Sequence, residues 1–110
     1  MKRIAALLET ELLGWQGVTA RPMFGMTGLY TDRHIFAALP HTRALGAPNS
    51  IAFRLPGPSE RLTSQLRKDK RIVTATPGDK WNSFLIDSEE DIHDVLNWLS
   101  IAYRAARKKD

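Results

Sequence analysis

Three short alternating segments joined by two-residue links constrain this chain more than any other feature. Residues 18–24 (VTARPMF), 27–31 (TGLYT) and 34–39 (HIFAAL) carry strand-type alternation and are separated only by Gly25-Met26 and Asp32-Arg33. A link of two residues is too short to cross over a sheet, so the three segments must be antiparallel neighbours. Ile35, Phe36, Ala37, Ala38 and Leu39 are apolar on both alternating faces. That pattern belongs to a strand in the sheet interior rather than at its edge.

The remaining elements arrange themselves around this meander. Residues 2–13 place Ile4, Leu7, Leu8 and Leu12 at helical spacing, and Gly14 and Gly17 end the helix. The stretch 40–50, with Pro40, Gly46, Pro48 and Asn49, is a loop by composition. Residues 50–55 read as a fourth strand with Ile51, Phe53 and Leu55 on one face and Arg54 on the other, broken by Pro56-Gly57-Pro58. Ser59 then caps a short helix to about residue 68. Residues 71–76 and 81–86 flank Pro77-Gly78-Asp79, which suits a type II turn, and so form a second hairpin. From Ser88 to Lys109, Ile92, Val95, Leu96, Leu99, Ala102, Tyr103 and Ala106 form one continuous stripe. Ser88 and Asp91 have capping-box spacing, acids fill the first turn, and Arg104, Arg107, Lys108 and Lys109 the last. The expected fold is α+β, a two-layer domain with helices packed on one face of an antiparallel sheet, in the order α-β-β-β-β-α-β-β-α. At 110 residues one domain spans 1–110.

Composition narrows the class of function. No apolar run approaches the ~18 residues of a membrane span. The N-terminal cations precede an apolar stretch that Glu9 and Glu11 interrupt, unlike a secretory signal. The chain has no cysteine, which removes disulfides, thiolate metal sites and cysteine catalysis together and fits a cytoplasmic protein without membrane contact. The net charge of +4 hides a separation. Arg33, Arg43, Arg54, Arg61, Arg67, Lys68, Lys70 and Arg71 face only Glu60 and Asp69 in the middle of the chain, while Asp87, Glu89, Glu90, Asp91 and Asp94 stand together without a cation.

Residues 21–37, RPMFGMTGLYTDRHIFA, resemble the signature near the start of the TfoX N-terminal domain: an Arg-Pro-Met-Phe-Gly segment, then Gly-Leu-Tyr, a turn, and a strand containing Phe-Ala. The motif residues are Arg21, Pro22, Met23, Phe24, Gly25, Gly28, Leu29 and Tyr30. The downstream order of strand, helix, hairpin and long helix agrees, so the similarity extends over nearly the whole chain. The resemblance implies a secretion-chaperone-like α+β fold and a regulatory, competence-related role beside a transcription regulator. TfoX proteins carry a second, C-terminal helical domain, to which the resemblance matches no part of residues 1–110. The same residues also have a plain structural use. Pro22 suits a strand start or edge, Met23 and Phe24 fill core space, and Gly25 and Gly28 permit a bend or bulge. Arg21, beside the bend, is a candidate contact for an anion or a partner carboxylate.

Chemical candidates are few. The three histidines, His34, His41 and His93, have no metal-ligand spacing. His34 and His41 meet at the end of the third strand only in a reading with a pocket between loop 40–50 and the sheet. The acidic run lacks calcium-loop spacing and suits a helix N-terminus. No catalytic residue, metal or cofactor is assigned. Arg61, Arg67, Lys68, Lys70 and Arg71 are candidate phosphate or partner contacts, without any helix-turn-helix or RNP motif for sequence reading. Trp15, Trp81 and Trp98 read as core or interface anchors, with Trp98 widening the stripe of the last helix. The leading expectation is a non-catalytic interaction or regulatory module that pairs with itself as a homo-oligomer or with another protein. Weak, non-specific nucleic-acid binding is the first alternative, and a small enzyme or ligand-binding domain the second.

Overall fold

The computed structural model describes residues 1–44, 47–74 and 80–107. Helix α1 (Lys2–Leu13) is followed by β1 (Val18–Met23), β2 (Met26–Thr31), β3 (His34–Pro40) and β4 (Ser50–Arg54). Then come α2 (Glu60–Lys68), β5 (Ile72–Thr74), β6 (Trp81–Leu85) and α3 (Asp91–Arg107). The expected α+β order is therefore the observed one. The six strands form a single antiparallel sheet in the order β1-β2-β3-β4-β6-β5. The meander places β3 in its interior, with Phe36 to Leu39 all buried.

Both long helices lie on one face of the sheet, α1 over β1 and β3 and α3 over β2, β3 and β4. The α3 stripe brings Val95, Leu99, Ala102 and Ala106 onto Leu8, Leu12, Leu29, Phe36, Phe53 and Phe84. Each fully buried leucine or phenylalanine there contributes about 2 kcal/mol. Leu7 lies outside the α1 seam and is exposed. Trp98 stacks on Phe53 at 5.8 Å and Trp15 tilts against Tyr103 at 5.2 Å, so two of the three tryptophans anchor helices to this layer. At its far end Tyr103 donates its hydroxyl to the Gln16 carbonyl and accepts from Arg107 Nη1.

Helix α3 begins three residues later than the expected start at Ser88. The Asp91 carboxylate accepts from the backbone N–H groups of Asp87 and Ser88, which is the returning half of the capping box. Ser59 caps α2 as expected, its hydroxyl accepting from Leu62 N. The expected turn at 77–79 and residues Lys108 and Lys109 lie outside the described residues. No helix among the described residues is long and apolar enough to cross a membrane.

Candidate interaction surface

The first hairpin turns one residue earlier than expected. Met23 pairs with Met26, so the two-residue loop is Phe24-Gly25 rather than Gly25-Met26. Both loop residues have positive φ, +48° at Phe24 and +80° at Gly25. Both signs are those of a type I′ turn, whose twist matches the strands it joins. Glycine and asparagine take this conformation readily; a phenylalanine in it costs about 1 kcal/mol. Phe24 does not fill core space. It is 86% exposed, while Met26, read as a turn residue, is buried at the start of β2.

The tip is clamped. The Gly25 carbonyl accepts from the backbone N–H groups of Thr42 at 2.8 Å and Arg43 at 2.9 Å, and from the Thr42 hydroxyl at 3.2 Å. A Cβ on Gly25 would stand 2.7 Å from Thr42 Oγ1 and 3.0 Å from Arg43 Cγ. The glycine therefore meets a backbone and a packing requirement at once.

The face of the sheet away from α1 and α3 is built from the other half of each strand's alternation. Register aligns Arg21, Gly28, Ala38, Ala52, Ser83 and Val73 in one row across all six strands. Met26, Ala38 and Ala52 are buried there in a second small cluster, with Met23 and Trp81 packed over it. Gly28 lets neighbouring side chains lie down on the sheet, since a Cβ would stand 3.0 Å from Tyr30 Cε1 and 3.2 Å from Ile35 Cδ1. The Tyr30 hydroxyl then reaches Met23 Sδ at 3.9 Å, and the Arg21 guanidinium lies 5.3 Å from the centre of the Tyr30 ring. Arg21, Met23, Gly28 and Tyr30 of the motif thus share this face. Leu29 points the other way, into the core, and Pro22 is exposed on the edge strand.

Among the described residues no helix lies over this second face. Val73 is 51% exposed, Met23, Tyr30, Ile35, Trp81 and Leu85 are half-buried, and the two charged side chains on its strands, Arg21 and Arg54, are both cationic. The two sheet edges are poor places for another strand to pair, because β1 carries Pro22 and β5 is three residues long. The available contact area is the face itself.

The five cations read as one basic patch are divided by the structure. Arg71 is engaged: Nε and Nη2 donate to the two Asp69 oxygens at 3.0 Å each. Its Nη1 meets Asp91 at 2.9 Å and Asp94 at 3.0 Å, and the guanidinium lies 4.7 Å from the centre of the Phe84 ring. The Arg71 hydrogen bond, chiefly, holds the Asp69 carboxyl below its ordinary value. For Asp91 the Asp87 backbone N–H contributes most and Arg71 next. Lys68 and Lys70 border a shallow hollow with Gln65 and Trp98. Arg67 borders a cleft on the opposite side of α2, and Arg61 is exposed.

His34 and His41 do not meet at one end of the third strand. His34 opens β3 and His41 follows its last residue, which at the rise of a strand separates them by about 20 Å. His93 is exposed on α3. Arg54 lies, as expected, on the face opposite Phe53. Sequence reasoning passed over Trp81 as a member of the open face; its alternation with Asn82 is the signal that places it there. It also passed over Asn82, Thr74 and Lys80, which line the cleft beside α2. Comparison of the chain with family models, with curated proteins and with solved structures gives no match in any of the three.

Proposed function

We propose that the chain is a non-catalytic interaction module that docks a protein partner on the open face of its sheet, in the cytoplasm. The observation that carries the reading is Phe24: a large aromatic, 86% exposed, held at positive φ on a clamped hairpin tip beside that face. A strained residue persists where its surroundings fix it, and such residues concentrate at binding sites. Phe24 contributes nothing to the core, so its side chain is available as an anchor for another molecule. The half-buried apolar layer of Met23, Tyr30 and Ile35 supplies area around it, and the cations Arg21 and Arg54 favour a partner with acidic side chains. The resemblance of residues 21–37 to the TfoX N-terminal domain agrees with a regulatory, competence-related role, with a transcription regulator as the partner.

The test is capture on immobilised protein followed by calorimetry with the purified partner, comparing the wild type with Phe24→Asn. Asparagine suits the turn, so the fold is preserved while the anchor is removed. The reading requires a partner whose affinity falls at least tenfold in the variant. Equal binding by both proteins would place the contact elsewhere. A second copy of the chain as the captured protein would make the module a homo-oligomer.

A further inference from the structure

Among the described residues the helix-covered side of the sheet is incompletely covered, and the gap forms a cleft. Helices α1 and α3 lie over β1 to β4, whereas α2, nine residues long and strongly polar, reaches the core through buried Leu66 and half-buried Leu62 alone. Between α2 and the β5–β6 end of the sheet lies a cavity of about 630 Å³, within the range that holds small organic ligands. Leu55, Leu66, Ile72 and Pro58 form its apolar wall, and Arg67 and Lys80, both exposed, stand at its mouth.

Asn82 is what distinguishes this cleft from a packing gap. It occupies a core-facing position of β6, paired with Phe53 on β4 and two residues from Phe84, both apolar and fully buried. It is 97% buried, as its relative exposure of 3% shows, and it lines the cleft. The Thr74 hydroxyl donates to its Oδ1 and so fixes the carboxamide orientation. A carboxamide in a core position costs free energy unless it is hydrogen-bonded. The nearest acid on α2, Glu60, lines a neighbouring hollow with Arg67 rather than the cleft itself.

We infer that this cleft binds a small amphiphile with an apolar body and one anionic head group. The apolar wall takes the body, the Asn82 amide and the Thr63 and Thr74 hydroxyls supply oriented polar contacts, and Arg67 and Lys80 bind the charge at the mouth. Carboxylate and phosphate heads share this chemistry. The site lies on the opposite side of the sheet from the open face, so its occupancy is independent of the Phe24 contact.

The experiment is a titration of ¹⁵N-labelled protein with octanoate, octyl phosphate and 1-octanol, following amide shifts. Octanoate or octyl phosphate should shift Thr63, Thr74 and the Asn82 side-chain amide, and the stronger of the two identifies the head group. Octanol should bind at least tenfold more weakly. The double variant Arg67→Glu/Lys80→Glu, altered at two exposed positions, should lose at least tenfold in anion affinity with an unchanged free spectrum. Equal binding of octanol, shifts confined to Tyr30, Met23 and Phe24 on the open face, or full affinity in the double variant would each overturn the inference. Phe24→Asn should bind the probes as the wild type does, which separates this site from the proposed partner surface.

Discussion

Replacing Arg71 with methionine should remove the main electrostatic tie between the β5 strand and the start of α3. Methionine keeps the unbranched stem over Phe84 and deletes the fork. The lost contacts are a two-point hydrogen bond to Asp69 and single bonds to Asp91 and Asp94, in a site where the arginine side chain is one-third exposed and Asp69 and Asp91 less than one-fifth. Charge-assisted bonds are worth about 1.5–3 kcal/mol each when well shielded, and solvent screening and shared partners reduce their sum. Asp94 is nearly half exposed and adds only tenths. A loss of about 3 kcal/mol at pH 7 follows, which at a urea slope of about 1.5 kcal/mol/M moves the midpoint down by roughly 2 M. The effect must also depend on pH. Asp69 and Asp91 have carboxyls depressed in the fold, so their contribution is complete above the ordinary aspartate value near 4 and is lost as the pH falls through their folded values. The gap between wild type and variant should therefore be full at pH 6–7 and shrink toward pH 3. A midpoint shift corresponding to less than about 0.5 kcal/mol, or a gap that stays constant down to pH 3, would refute the reasoning.

Other predictions follow from the hairpin and the basic residues. Phe24→Asn should raise stability by about 1 kcal/mol in urea unfolding, because the left-handed strain is relieved; together with weakened partner binding, this separates stability from function. Gly25→Ala should lower stability by about 2 kcal/mol, since the methyl group meets both positive φ and the Thr42–Arg43 wall. Tyr103→Phe should cost about 1 kcal/mol by removing the hydroxyl that donates to the Gln16 carbonyl and accepts from Arg107, while Arg107 Nη1 still donates to that carbonyl. Charge reversal of Lys68 and Lys70 should leave thermal unfolding unchanged while abolishing any salt-sensitive anisotropy change with a labelled DNA duplex.

Much of the fold was legible because its elements follow simple periods. The α3 stripe reaches the core at Val95, Leu99, Ala102 and Ala106, and the apolar run of β3 marks an interior strand. The hairpin loop was misplaced by one residue because Gly25 suits either position and an aromatic reads as core. The register Met23–Met26, a tertiary fact, decides it. Arg71 looked like one cation in a run because its partners Asp91 and Asp94 lie twenty or more residues away, on another element. Asp69, two residues before it, was the only local hint. Asn82 shares the parity of Phe84, so its burial was readable in principle, but the cleft before it depends on how little of the sheet α2 covers, which no local pattern records.

The most direct measurement is site-specific photocrosslinking in cells, with p-benzoylphenylalanine at position 24 and, as a control, at Asn97, which is exposed on α3. The account predicts a discrete protein adduct from position 24, resistant to nuclease, and none from position 97. Equal labelling at both positions, or an adduct from position 24 that nuclease removes, would contradict docking of a protein on the open face.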